Sequence, residues 1–148
     1  MTIETYSDKY CLDVMEIVDN FHKEIIKVYD PDLDKATLMS TILNIKENNV
    51  GNTFLLIVND KCEGLLAGIE MTSLLNKKRT FQELIWYVNA PFRKYGVQLL
   101  KRAQEMLKAE GFNNIIMAVL ESGQTEKIKR LYERMGFMLF ESHYLKVL

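Results

Sequence analysis

The chain has 148 residues, 48% of them apolar and 26% charged, with seven glycines, two prolines and a net charge of −1. That is one domain's worth of sequence, apolar enough to build a core without disulfides or metal, and it excludes a disordered, collagen-like or low-complexity protein. No apolar run approaches the ~18 residues needed to cross a bilayer, and Met1 to Asp8 lacks the basic and then apolar pattern of a leader, so a soluble cytoplasmic protein is expected.

Residues 2 to 6 alternate like a short strand, and Ser7 stands where a helix N-cap would. Cys11, Val14, Met15, Val18, Phe21, Ile25 and Val28 recur at helical spacing, and Asp30-Pro31-Asp32 ends that helix. A second helix fits residues 34 to 47, with Leu38, Ile42 and Ile45 on one face, closed by Asn48 to Asn52. Thr53 to Val58 and Cys62 to Met71 read as a hairpin about Asn59-Asp60-Lys61. A third strand runs from Thr80 to Val88 and ends in a short basic loop between Pro91 and Gly96. From Val97 to Glu110, Leu99, Leu100, Ala103, Met106 and Leu107 keep helical period, and Gly111 stops the helix. Asn114 to Val119 reads as a buried strand and residues 125 to 135 as a helix capped by Gly136. Phe137 to Val147 then reads as a final β segment. The order β, α, α, β, β, β, α, β, α, β, without repeat or linker, predicts a single domain over 1–148 with a mixed sheet covered by helices on both faces.

Charge is unevenly placed: residues 1 to 60 carry eleven acids against five bases, residues 61 to 148 nine against fourteen. The pattern suits an anion bound by the C-terminal half and a cation near the N-terminal half, or simply solvated faces that differ in charge. Cys11 and Cys62 are expected to be small buried hydrophobes in a reducing compartment. No metal is expected, since no zinc spacing or His/Asp/Glu cluster occurs; nor is there a phosphate loop of the Walker kind or a Gly-x-Ser-x-Gly elbow.

The segment Val88-Asn89-Ala90-Pro91-Phe92-Arg93-Lys94-Tyr95-Gly96-Val97-Gln98 ends a strand, turns through a basic loop and opens a helix. Helix N-termini present unpaired N–H groups and a partial positive charge to anions, and Arg93 and Lys94 add two full charges. An ordinary solvent-facing loop has the same composition. Arg93 to Gln98 resembles the Arg-x-x-Gly-x-Gly/Ala motif of the GNAT N-acetyltransferases, with Gln98 in place of the last Gly or Ala. Leu131-Tyr132-Glu133-Arg134-Met135-Gly136-Phe137 is similar to that family's Leu-Tyr-x-x-x-Gly-Phe signature, although Thr125 and Ile128 stand where the family often has Asn and Ala. The hairpin Leu55 to Gly64 and the last segment through Tyr144 and Lys146 fit the same family, so the resemblance spans the chain.

The resemblance implies an α/β (α+β) fold with a mostly antiparallel central sheet, and an acyltransferase that moves acetyl from acetyl-CoA to a primary amine in a ternary complex. The main chain of Tyr87 and Val88 would pair with the pantetheine arm, and Arg93, Lys94, Tyr95, Gly96, Val97 and Gln98 would hold pyrophosphate. Tyr132 would protonate the departing thiolate, unless it is merely a packed core tyrosine. Deprotonating the amine needs a base, for which Glu83 is the best-placed carboxylate in sequence, with His22 and His143 as alternatives. The acceptor would be a small-molecule or protein amine. No nucleic-acid or membrane partner is expected, because an isoelectric point near 6.1 argues against the first despite the bases from Lys77 to Arg102. Dimerisation is common in that family, and aromatics such as Tyr144 would serve it. The competing expectation is a GNAT-shaped module that binds a ligand or partner without turnover.

Overall fold

The hairpin about Asn59 to Lys61 forms and becomes the centre of the sheet. In the computed structural model, Gly51–Val58 (β2) and Lys61–Thr72 (β3) run antiparallel around a turn where Asn59 and Asp60 take φ of 50° and 62°. Asn and Asp tolerate the left-handed region, and two such residues in succession give the tight turn whose twist suits a hairpin. The structure describes residues 1–26, 34–73, 76–120, 124–146 and 148. The expected end of the first helix, Val28 to Asp32, lies outside the described residues, as does Val147.

Thr2–Thr5 (β1) pairs with β2 and Arg79–Val88 (β4) with β3, both antiparallel, and Asn114–Ile116 (β5) pairs in parallel with β4, giving the order β1-β2-β3-β4-β5. A parallel neighbour requires a crossover, here the helix Gly96–Ala109 (α3). Cys11–Phe21 (α1) and Lys35–Glu47 (α2) cover one face of the sheet, where Val14, Ile17, Phe21 and Ile42 pack on Leu55, Leu65, Ile85 and Tyr87. The alternate residues Phe54, Leu56 and Leu66 bury the other face with Phe81, on the side of α3 and its buried Leu99, Leu100, Ala103 and Leu107. Helices on both faces of a mixed sheet are what the element order predicts, and the mostly antiparallel pairing is what the resemblance implies.

Details differ. Ile17 rather than Met15 carries the stripe of α1, Met15 being 50% exposed. Ser7 precedes a 3₁₀ turn, Asp8–Tyr10, without a capping side-chain bond, whereas Asp34 caps α2 by accepting from Ala36 N at 3.0 Å and Thr37 N at 3.2 Å.

Two bulges set which side chains face where. Leu56 pairs with Gly64 and Ile57 with Cys62, so Glu63 is the extra residue of β3; Ala67 pairs with Ile85 and Gly68 with Glu83, so Leu84 is the extra residue of β4. An extra residue inverts the alternation beyond it. Phe81 therefore shares a face with Phe54, while Ile85 and Tyr87 face α1.

Residues Met1–Met117 and Ala118–Leu148 form two compact units. The second holds Thr125–Arg134 (α4), which Gly136 ends with φ of +85°, as its position after the helix predicts. The expected strand from Phe137 onward does not form among the described residues, and β5 stops at Ile116 instead of Val119. Apolar composition alone does not make a strand: its N–H and C=O groups need a ladder partner, and residues 137–146 have none. Met138, Leu139 and Leu145 are accordingly exposed.

Gly68 is where two strands approach too closely for a side chain. A Cβ there would lie 2.4 Å from the Gln82 carbonyl oxygen and 2.5 Å from the Phe81 ring. Gly68→Ala is expected to cost about 2 kcal/mol, measured by denaturant melts, because the nearer obstacle is backbone. An unchanged midpoint would show that β3 and β4 part easily.

Candidate functional site

The site is built on the strand β4, which has a full partner on one side and a partial one on the other. At its start Arg79 ties three segments together. Its guanidinium donates to Glu70 Oε1 at 2.7 Å, Glu70 Oε2 at 2.8 Å and the Glu110 carbonyl at 2.6 Å, and lies 4.4 Å from the Phe112 ring centroid. Its main chain donates to Asn113 Oδ1 at 3.0 Å and accepts from Asn113 N at 2.9 Å. Arg79 is one of the bases between Lys77 and Arg102, and its charge is taken up by Glu70. From there β5 follows β4 only at Thr80, Phe81 and Gln82. Beyond Gln82, β4 runs on to Val88 paired with β3, and among the described residues β5 does not follow it.

Asn89 N–H donates to the Glu63 carbonyl at 2.9 Å, and the register places those two residues opposite each other. Alternation along an antiparallel pair then turns the main-chain groups of Tyr87 and Ile85 toward β3, and those of Trp86 and Val88 toward the other edge of β4. Of the two residues expected to offer main-chain groups to a ligand, Tyr87 therefore turns its own into the sheet, and Val88 turns its own away from β3.

The loop after β4 is a 3₁₀ turn, Ala90–Tyr95, that runs directly into α3. Gly96 has φ of −57° and needs no left-handed freedom. It lies beside the end of β4, since a Cβ there would stand 3.6 Å from Trp86 Cζ2 and 3.8 Å from Val88 Cγ2. Its N–H bonds to the Arg93 carbonyl, and Phe92 N–H bonds to the Asn89 carbonyl at 2.9 Å. Lys94 is exposed, its Nζ 5.0 Å from the Tyr95 ring centroid; Gln98 is exposed and Val97 half-buried. Arg93 turns the other way and pairs with Glu24.

Glu24 belongs to an open cavity of about 600 Å³ on the α1 side of β4, lined also by Glu16, Asn20, Glu63, Tyr87 and Asn89. It sits on a π-helical turn, His22–Ile26, that extends α1. The Tyr87 hydroxyl donates to Glu24 Oε2 at 2.6 Å, and Arg93 donates to Oε1. The Tyr87 bond, aided by Arg93 and opposed by partial burial, holds the Glu24 carboxyl below its ordinary value; burial and the neighbouring carboxylate push Tyr87 up to about 12. Glu63 and Asn89 are each only 9% exposed. Asn89 Nδ2 donates to Glu63 Oε2 at 2.8 Å and Asn89 Oδ1 accepts from Asn20 Nδ2 at 3.0 Å, so a buried carboxylate is held in a polar chain rather than left bare.

Of the other sequence candidates, Glu83 is half-buried on β4 opposite Gly68, next to the bulge. His22 lies on the π-helical turn, and exposed His143 is 3.0 Å from Glu141 Oε1. Tyr132 belongs to the second unit, where it is buried at 8% exposure and donates to the Ala118 carbonyl at 3.2 Å. Sequence analysis missed Glu24, Glu63, Asn20 and Asn89. Only Glu63 left a signal, a carboxylate within an otherwise buried strand run. Among the described residues no group of His, Cys, Asp and Glu is arranged to hold a metal, and no helix is long and apolar enough to cross a membrane.

No family model matches this chain, and no curated protein does. Its structure matches solved acetyltransferases along the whole length. A probable acetyltransferase superposes with a TM-score of 0.77 at 17% identity, covering 100% of this chain and 99% of that one. An aminoglycoside acetyltransferase from an uncultured soil metagenomic sample gives 0.74 at 14%, covering 100% and 99%. A GNAT family acetyltransferase from Staphylococcus aureus gives 0.73 at 18%, covering 99% and 98%. At these identities the likeness is one of fold.

Because the Tyr87 hydroxyl donates to ionised Glu24, Tyr87→Phe is expected to raise the Glu24 pKa and to cost about 1 kcal/mol at neutral pH. A carboxyl whose folded-state pKa is depressed contributes stability above its unfolded pKa and loses it as pH falls through the folded one, so the wild-type advantage should shrink in acid. Carboxylate NMR titration and melts at neutral and acid pH check both; an unmoved Glu24 titration would refute the coupling.

Proposed function

We propose that this chain, whose fold is that of the GNAT acetyltransferases, transfers an acetyl group from acetyl-CoA to a primary amine by direct attack. The observation that carries the proposal is the course of β4 beyond Gln82, where the main-chain groups of Trp86 and Val88 turn away from β3, beside Gly96 at the start of α3. An extended amide-bearing arm fits such an edge as an added strand would. Acetyl-CoA would supply that arm and the activated thioester carbonyl.

The chain's own groups would then act as follows. The Trp86 carbonyl accepts from an amide of the arm, and the Val88 N–H donates to the thioester carbonyl, favouring the oxyanion that forms on attack. Lys94 and the N-terminal end of α3 offer positive charge to pyrophosphate, joined by Arg93. Glu83 is the carboxylate on the same strand assigned to take the proton from the acceptor ammonium, which cannot attack while protonated. Proton donation by Tyr132 rests on the Leu-Tyr-x-x-x-Gly-Phe resemblance. The carboxylates of the cavity beside β4 support a cationic acceptor.

A second reading, a ligand-binding or interaction module without turnover, is favoured by one feature: Arg93 already has Glu24 as its partner and Gly96 N–H already has an acceptor.

Calorimetric titration with acetyl-CoA separates the two. Saturable binding is expected, weakened at least about ten-fold by Gly96→Asp, which sets a negative charge where the phosphates would lie. Absence of binding at millimolar acetyl-CoA would overturn the enzyme and leave the module.

A further inference from the structure

Arg93 and Glu24 come from opposite sides of the proposed reaction. Arg93 lies on the loop that opens α3, where an anion is expected, and Glu24 on the π-helical turn that walls the carboxylate-lined cavity, 69 residues earlier in the chain. The pair is open to water, with the two side chains 51% and 41% exposed. Glu24 has a second hold on its position through Tyr87, whose hydroxyl donates to Oε2, whereas Arg93 reaches Oε1.

We propose that Glu24 is a positioning residue that competes with the cosubstrate's phosphates for Arg93. Phosphate draws the guanidinium off, and the carboxylate so bared faces the cavity as the counter-ion for the acceptor's ammonium. The proposal rests on the acetyl-CoA reading and adds to it an order of binding. A guanidinium fork matches a carboxylate and a phosphate equally well, so one partner replaces the other without a new geometry. An ion pair this exposed is weak, which keeps the exchange easy. Tyr87 keeps Glu24 ionised and in place when Arg93 leaves. Before the exchange the cavity offers an ammonium a neutralised Glu24; after it, Glu24 adds its charge to that of Glu63 in a cavity whose lining cation Lys23 is engaged by Asp19. The coupling is reciprocal, so a cation that takes Glu24 must also favour release of Arg93 toward phosphate.

Desulfo-CoA binding, measured by calorimetry at fixed salt, tests this without any acceptor or turnover. Glu24→Gln removes the competitor and is expected to tighten desulfo-CoA about three-fold, in keeping with the small worth of an exposed pair. Arg93→Ala should weaken binding, and the gain from Glu24→Gln should vanish in the Arg93→Ala background. Melting curves of each variant verify that it is folded. A role confined to structure would shift those curves without tightening the ligand. If wild type binds and Glu24→Gln binds equally or more weakly, the competition is refuted while the acetyl-CoA reading stands. If wild type does not bind at all, both fall.

Discussion

Arg79 closes one end of a wedge, and the proposed site exists because that end is closed. Its side chain joins β3 to the end of α3 through Glu70 and Glu110, and its main chain exchanges two bonds with Asn113 just ahead of β5. β4 and β5 are thereby held together at Thr80 to Gln82. Past that point β5 ends while β4 continues against β3, so the main-chain groups of Trp86 and Val88 turn to an edge that β5 does not follow among the described residues. Such an edge is a liability unless something covers it. Here it adjoins the first residue of α3, which lets the same few residues offer both strand-like hydrogen bonds and a helix N-terminus.

The two bulges decide which chemistry each face receives. Without Leu84 as an extra residue, Tyr87 would share a face with Phe81 and its hydroxyl would point toward α3 rather than to Glu24. Glu63 is likewise the extra residue of β3 against β2, which fits a buried carboxylate whose side chain meets Asn89 instead of entering the apolar ladder. Bulges commonly re-aim side chains near working sites, and this sheet has one at Glu63 in β3 and one at Leu84 in β4.

Much of this architecture was legible in the sequence. Periodicity located α1, α2 and α3, the Asn59-Asp60 turn, and the glycine stops at Gly111 and Gly136, because each depends on contacts or torsions a few residues apart. The loop opening α3 was found for the same reason. What was missed depends on registers and distant partners. The pairing of Arg93 with Glu24, the engagement of Arg79 with Glu70 and the turning of the Tyr87 main chain into β3 follow from strand pairing, which period-two patterns do not encode across a bulge. The final strand failed differently: Phe137 to Leu145 has strand-like composition, but composition supplies side chains and not the neighbouring ladder a strand requires.

The uneven charge of the two halves of the chain takes on a different meaning in the folded molecule. Read along the sequence, an acidic first part and a basic second part suggest a cation site and an anion site that act separately. In space they meet: Glu24 pairs with Arg93 and Glu16 with Lys61, while Glu63 takes an amide from Asn89. Two of the acids lining the cavity, Glu24 and Glu63, are thus engaged by Arg93 and Asn89, residues of the β4–α3 junction. On the proposed reading the anion and cation sites would share Arg93 as a counter-ion, so an anion arriving at one would withdraw positive charge from the other. That coupling would need no moving domain, only a guanidinium with two acceptable partners and a carboxylate that a tyrosine holds in place when the guanidinium leaves.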